Sequence, residues 1–146
     1  MTNISIITEF FKLSTLTLAT AGPDGLPHAA PVYFAARLEP LAIYFFSDPD
    51  SQHGRDLAHN PQAAAAIYPQ CFDWQDIRGL QLRGSVMPLL LGSDWEAAWS
   101  AYQVKFPFIE KLREIVARNR FYVFTPTWMR LVDNRRGFGF KEEWEF

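Results

Sequence analysis

The segment Thr15-Leu16-Thr17-Leu18-Ala19-Thr20 alternates polar and apolar residues and runs straight into Gly22-Pro23-Asp24-Gly25. Alternation at period two is the pattern of a half-buried strand. The proline fixes φ and the glycines tolerate positive φ, so the next four residues make a tight turn. A strand that turns back at once commits the chain to antiparallel pairing. The following segments keep to that plan. His28 to Ala36 and Leu41 to Phe46 read as two more strands, joined by a turn at Glu39-Pro40. Ala63 to Tyr68 is short and apolar enough for a buried strand. Ile77 to Leu91 supplies a long strand broken near Pro88, and Phe121 to Thr125 and Met129 to Val132 add two more.

Helices punctuate these strands rather than alternate with them. Ile4, Ile7, Phe10 and Phe11 fall at helical spacing within the first dozen residues. Ser51 to His59 reads as a short helix that stops before Asn60-Pro61, because a residue preceding proline disfavours the helical region. Ser93-Asp-Trp-Glu96 has the form of a capping box. Behind it Trp95, Ala98, Trp99 and Tyr102 line one helix face. Phe108 to Arg118 is a further helix, Cys71 to Asp76 a loop, and a Gly-Phe-Gly tail closes the chain. The expected class is mainly β: a small antiparallel barrel with peripheral helices rather than a doubly wound sheet.

Composition narrows the function classes. A chain of 146 residues, 49% hydrophobic, is sized for one domain over 1–146 with a substantial core. A net charge of -2 gives no electrostatic reason to expect nucleic acid. No run of about 18 apolar residues spans a membrane. The N-terminal residues lack the basic start and apolar stretch of a leader, so the expectation is cytoplasmic. The single cysteine, Cys71, asks for no oxidising compartment and has no base nearby to make it a nucleophile. His28, His53 and His59 lack ligand spacing, so no metal site is expected. Thirteen Phe and five Trp exceed what such a core needs, which points to an interface or a flat ligand slot.

Three segments in order resemble the pyridoxamine 5'-phosphate oxidase-like flavin-binding split-barrel superfamily. They are Leu16 to Val32 with its Gly22–Gly25 turn, Tyr44 to Pro61 with Ser51-Gln52-His53, and Ile77-Arg-Gly-Leu-Gln-Leu-Arg-Gly84. The ending, Asp133-Asn134, Gly137-Phe-Gly139 and Trp144, looks like a narrower bacterial branch, the YhbP-like proteins. The resemblance implies a six-stranded split barrel and a homodimer with two FMN sites shared across its interface.

It also implies where FMN would lie. Ser51, Gln52 and His53, opening a helix after a strand, correspond to the phosphate subsite, where a helix N-terminus favours an anion. The oxidases carry Arg-Lys at the positions of Gln52 and His53, so fixed charge is missing here, and Asp48 and Asp50 lie beside them. FMN binding is therefore expected to be weak or lost. The ring is expected against Ala30, Pro31 and Val32 and the strand end Phe46-Ser47, with Arg78 and Gly79 at the start of the long strand. Gly79 replaces a glutamine of the oxidases. Asn134, Phe138 and Lys141 in the tail correspond to residues that reach a partner's site.

The activity implied is hydride or electron transfer between FMN and a small molecule, with no obligate catalytic side chain. Two other classes stay open: a non-catalytic module for flavin, deazaflavin or haem, and a structural dimer that has lost its cofactor.

Overall fold

The computed structural model describes residues 3–146. Met1 and Thr2, and the side chain of Ile4, lie outside what is described. Helix α1 (Asn3–Phe11) precedes strands β1 (Thr15–Ala21), β2 (Pro27–Tyr33), β3 (Ala35–Leu38) and β4 (Leu41–Ser47). Then come α2 (Gln52–His59), β5 (Gln62–Ile67), β6 (Arg78–Pro88), α3 (Ser93–Lys105), α4 (Arg113–Arg118), β7 (Arg120–Asp133) and β8 (Lys141–Glu145). The strands form one antiparallel sheet in the order β2-β1-β5-β6-β7-β4-β3, with β8 on β7.

The hairpin forms as expected. β1 pairs with β2 from Thr15↔Tyr33 to Ala21↔Pro27, and Gly25 closes the turn at φ 74° with its N–H donating to the Gly22 carbonyl. The expected strand His28 to Ala36 is in fact two. β2 sits at one edge of the sheet and β3 at the other, joined through the fully buried Phe34. With both edges tethered through one residue, the sheet has to curl. This is the expected split barrel; among the described residues its sheet has eight strands, the short β3 and β8 adding to the six expected.

Period-two alternation on β4 and β7 then serves two cores. Ile43 and Phe45 of β4, with Tyr122, Phe124, Met129 and Leu131 of β7, point into the barrel beside Leu16, Leu18, Leu80 and Leu82. Ala42, Tyr44 and Phe121 face outward onto α3, where Trp95, Ala98, Trp99 and Tyr102 fill the second core.

Four local readings are corrected. Gly92 caps α3 without a side-chain bond, and Ser93 lies inside the helix, so no capping box forms. Phe108 to Arg118 divides into a 3-10 turn, Pro107–Leu112, and α4. The two strands read on either side of Pro126 are one, β7, because the irregularity at Arg83/Gly84 absorbs the proline that lacks a ladder donor. A side chain at Gly84 would run into the Thr125 carbonyl. Beyond the Gly-Phe-Gly tail, β8 pairs Lys141↔Val132 to Glu145↔Trp128, with Trp144 packed on the barrel core. Its charged residues hid the alternation. No described helix is long and apolar enough to cross a membrane.

Candidate functional site

Strand β4 ends at Ser47, and the chain turns through Asp48, Pro49 and Asp50 into α2. Ser51 is extended (φ -62°, ψ 161°) and caps the helix, its Oγ accepting from the Gly54 N–H at 3.1 Å. The same hydroxyl donates to the Asp48 carbonyl at 2.6 Å. Arg55 folds back, donating to the Asp50 carbonyl at 2.7 Å and to Gln52 Oε1 at 3.1 Å. Gln52 donates through Nε2 to Asp56 Oδ1 at 2.9 Å. His53 holds Ser47 Oγ through Nε2 at 2.7 Å, its ring edge-on to Phe45.

Asp56 is the hub, and only 3% of it is exposed. Besides Gln52 it accepts from Thr20 Oγ1 at 2.8 Å and from His28 Nδ1 at 2.9 Å, both on Oδ2. The carboxylate thereby ties α2 to β1 and β2. It fits because position 22 is glycine: a Cβ there would stand 2.9 Å from Asp56 Oδ1. Burial alone would raise the Asp56 pKa, but the hydrogen bonds from Gln52, Thr20 and His28 outweigh it and hold it below the ordinary value. Desolvation lowers the His53 pKa, against the opposing pull of Asp56, so His53 is neutral at neutral pH. Because Asp56 can only accept, His28 Nδ1 carries the proton of that bond, and its Nε2 has no hydrogen-bond partner among the described residues.

A cleft of about 370 Å³ opens over this network, lined by Pro27, His28, Ala29, Ala30, Gln52 and His53. Two larger concavities lie elsewhere. One of about 450 Å³ runs along the outer sheet face beside Arg83, Trp128 and Arg130; another of about 560 Å³ lies between α1, β3 and α3. Neither contains a histidine, nor a carboxylate.

Of the expected site residues, Ala30, Gln52 and His53 line the cleft, with Ser47 and Ser51 bonded around its base. Pro31 is exposed and Val32 points into the barrel core. Phe46 turns to α3, against Tyr102 and Phe121. Arg78 donates to the Asp76 carbonyl. Gly79 lies against Tyr68, whose Cβ would be 3.0 Å from an added side chain. Asn134 clips the tail, donating to the Trp74 carbonyl and accepting from the Gly139 N–H. Phe138 packs its ring edge on Trp74, and Lys141 is exposed at the start of β8. The sequence reading missed Asp56 and Thr20 altogether, and it placed His28 on a strand and set it aside as a ligand for lack of spacing. Their partners lie 28 and 36 residues apart in the chain.

The sequence pattern of the pyridoxamine 5'-phosphate oxidase family matches residues 7–133. Over 144 residues the chain is 27% identical to a UPF0306 protein of Photorhabdus laumondii, spanning 98% of this chain and 96% of that one. Over 126 residues it is 31% identical to the pyridoxine/pyridoxamine 5'-phosphate oxidase of Rhodopseudomonas palustris, covering 73% of this chain and 55% of the oxidase. The chain thus spans about half the length of that enzyme. Among solved structures, a haem-binding protein from Mycobacterium smegmatis superposes with a TM-score of 0.76 at 23% identity, over 92% of this chain and 53% of that one. The haem storage protein HutZ of Vibrio cholerae gives 0.73 at 19% identity, over 86% and 91% of the two chains.

Proposed function

The chain belongs to the pyridoxamine 5'-phosphate oxidase family, and from that premise we propose that it is a non-catalytic binding protein for a planar cofactor, haem before flavin. The observation that carries this reading is the direction of the donors at the start of α2. Ser51, Gln52 and Arg55 all turn inward, onto Asp48, Asp56 and Asp50. A dianionic phosphate asks for outward donors and fixed positive charge. Here the subsite's cation, Arg55, is already held by the Asp50 carbonyl and Gln52, the Ser51 hydroxyl and the Gln52 amide are likewise engaged, and three carboxylates stand beside them. These residues do not fit the phosphate of FMN.

A haem asks instead for an imidazole ligand beside small apolar surface, and its two propionates can lie in solvent where a helix-end phosphate cannot. The cleft offers His28 and His53 with Pro27, Ala29 and Ala30. Bound there, haem would supply an iron with a coordination position for a small molecule. The haem-binding and haem-storage descriptions of the Mycobacterium and Vibrio proteins support the same choice. The second reading is flavin-dependent electron transfer with FMN against Ala30, Pro31 and Val32; the oxidase relative favours it. In either reading we place the chain in the YhbP-like branch, as one domain over 1–146 working as a homodimer.

The test is the visible spectrum of the purified protein after incubation with ferric protoporphyrin or with FMN, each followed by desalting. The expected result is a retained Soret band and no retained flavin. Retained flavin without a Soret band would support the second reading, and retention of neither by a folded protein that is dimeric in light scattering would favour a structural dimer that has lost its cofactor.

A further inference from the structure

Resting on the haem reading, we propose that His28 Nε2 is the protein's ligand to the iron and that Asp56 is the residue that positions it. A ligating histidine characteristically donates its other ring N–H to a carboxylate, which fixes the tautomer and the ring plane and strengthens the donor nitrogen. His28 has that partner. Its Nδ1–H is held by Asp56 at 2.9 Å, and its Nε2 is without a hydrogen-bond partner at the cleft. The carboxylate is itself immobilised by Thr20 and Gln52 and seated over Gly22.

His53, in the same cleft, is the weaker donor on geometry. Its Nε2 is occupied by Ser47. That leaves only Nδ1, the nitrogen next to the ring's attachment to Cβ, where a macrocycle would meet the backbone of α2. The side chain of His28 is 36% exposed and comes from a strand, so its far nitrogen can approach a flat ring.

The same site argues against a bare divalent ion. No group of three or more His, Cys, Asp or Glu side chains among the described residues is placed to hold a metal. A single imidazole suffices only for a metal that brings its other ligands with it, as a macrocycle does.

The experiment titrates ferric protoporphyrin into wild type, H28Q, H28A, D56N and H53A, each checked for folding by circular dichroism. Soret and visible bands and the electron paramagnetic resonance spectrum are the readouts. Glutamine at 28 keeps an N–H donor for Asp56 while removing the ligand. Wild type is expected to show imidazole-ligated iron. H28Q and H28A should lose that signature, and H28A should regain it when free imidazole is added. D56N should weaken binding about 10- to 100-fold, and H53A, which removes part of the cleft wall and not the ligand, should bind more weakly but keep the imidazole-ligated signature. Uptake by wild type with an unchanged spectrum in folded H28Q would overturn the ligand assignment and leave the haem reading standing. Loss of the signature in H53A instead would do the same. Failure of wild type to take up the macrocycle would overturn both.

Discussion

Helices α2 and α3 dock on the same curled sheet with a different balance of buried area and directed bonds. α3 lays a continuous aromatic face on β3, β4 and β7: Trp95 stacks on Trp99 with centroids 5.9 Å apart and meets Phe121 edge-on at 5.3 Å, and Tyr102 meets Phe46 at 5.6 Å. α2 puts a single large apolar side chain, Leu57, into the barrel core and is tied at its centre by Asp56, which accepts from Thr20 and His28 of the sheet and from Gln52 of its own helix. The first attachment depends on buried area, which is non-directional and shared among many neighbours. The second depends on direction, and losing the carboxylate would leave the buried Thr20 hydroxyl unpaired. A helix attached by area can serve as scaffold; one attached by a few directed bonds sets the geometry of a site.

The largest effect is expected on the scaffold side. Trp99 is 2% exposed, and Trp99→Ala should cost about 3–5 kcal/mol, the range for emptying an aromatic site in a core. Urea unfolding measures it. Ligand affinity of the folded protein should barely move, because Trp99 lies in the second core and the cleft opens beside α2. A tenfold loss of affinity would break the comparison by coupling the two attachments.

On the site side, Asp56→Ala should cost about 1–3 kcal/mol at neutral pH, less than the tryptophan, since it strands the buried Thr20 hydroxyl and releases His28 and Gln52 to water without opening a large void. The sign of its pH dependence follows from the depressed pKa. The unfolded chain takes up the proton first, so this contribution is complete above about 3.8 and is lost as the pH falls through the lower folded value. D56A should therefore lose the acid slope along with the stability. Gly22→Ala, which pushes a Cβ to 2.9 Å from Asp56 Oδ1, should cost about 1–2 kcal/mol in wild type and much less in D56A. Equal costs in the two backgrounds would mean that the glycine serves the turn and not the carboxylate.

This contrast also explains what was legible in the sequence. The α3 face was readable because Trp95, Ala98, Trp99 and Tyr102 repeat at helical spacing and nothing distant is needed to see it. The hairpin and the Ser51 helix start were readable for the same reason: their signals are local. Asp56 was invisible, a charged residue in a helix of mixed polarity. Its meaning depends on the register that brings Thr20 and His28 alongside, and on a missing Cβ at Gly22. The passage of β2 into β3 was equally hidden, because Phe34 looks like any strand residue until the two edges of the sheet are known.

The smallest expected effect comes from His53, which touches the site from the other side. Burial lowers its pKa below 6.5, so between the folded value and 6.5 the unfolded chain binds the proton that the folded chain refuses. Stability from this group is complete above about 6.5 and declines as the pH falls through the folded value. His53→Gln keeps an amide able to meet Ser47 and removes the titration, so it should flatten the slope of unfolding free energy with pH across that window. The side chain is only half-buried, so solvent screens the effect and places it below the other two. The slope is measured by urea unfolding at closely spaced pH values. If H53Q leaves it unchanged, burial of the His53 ring does not set the pH dependence of stability in that window.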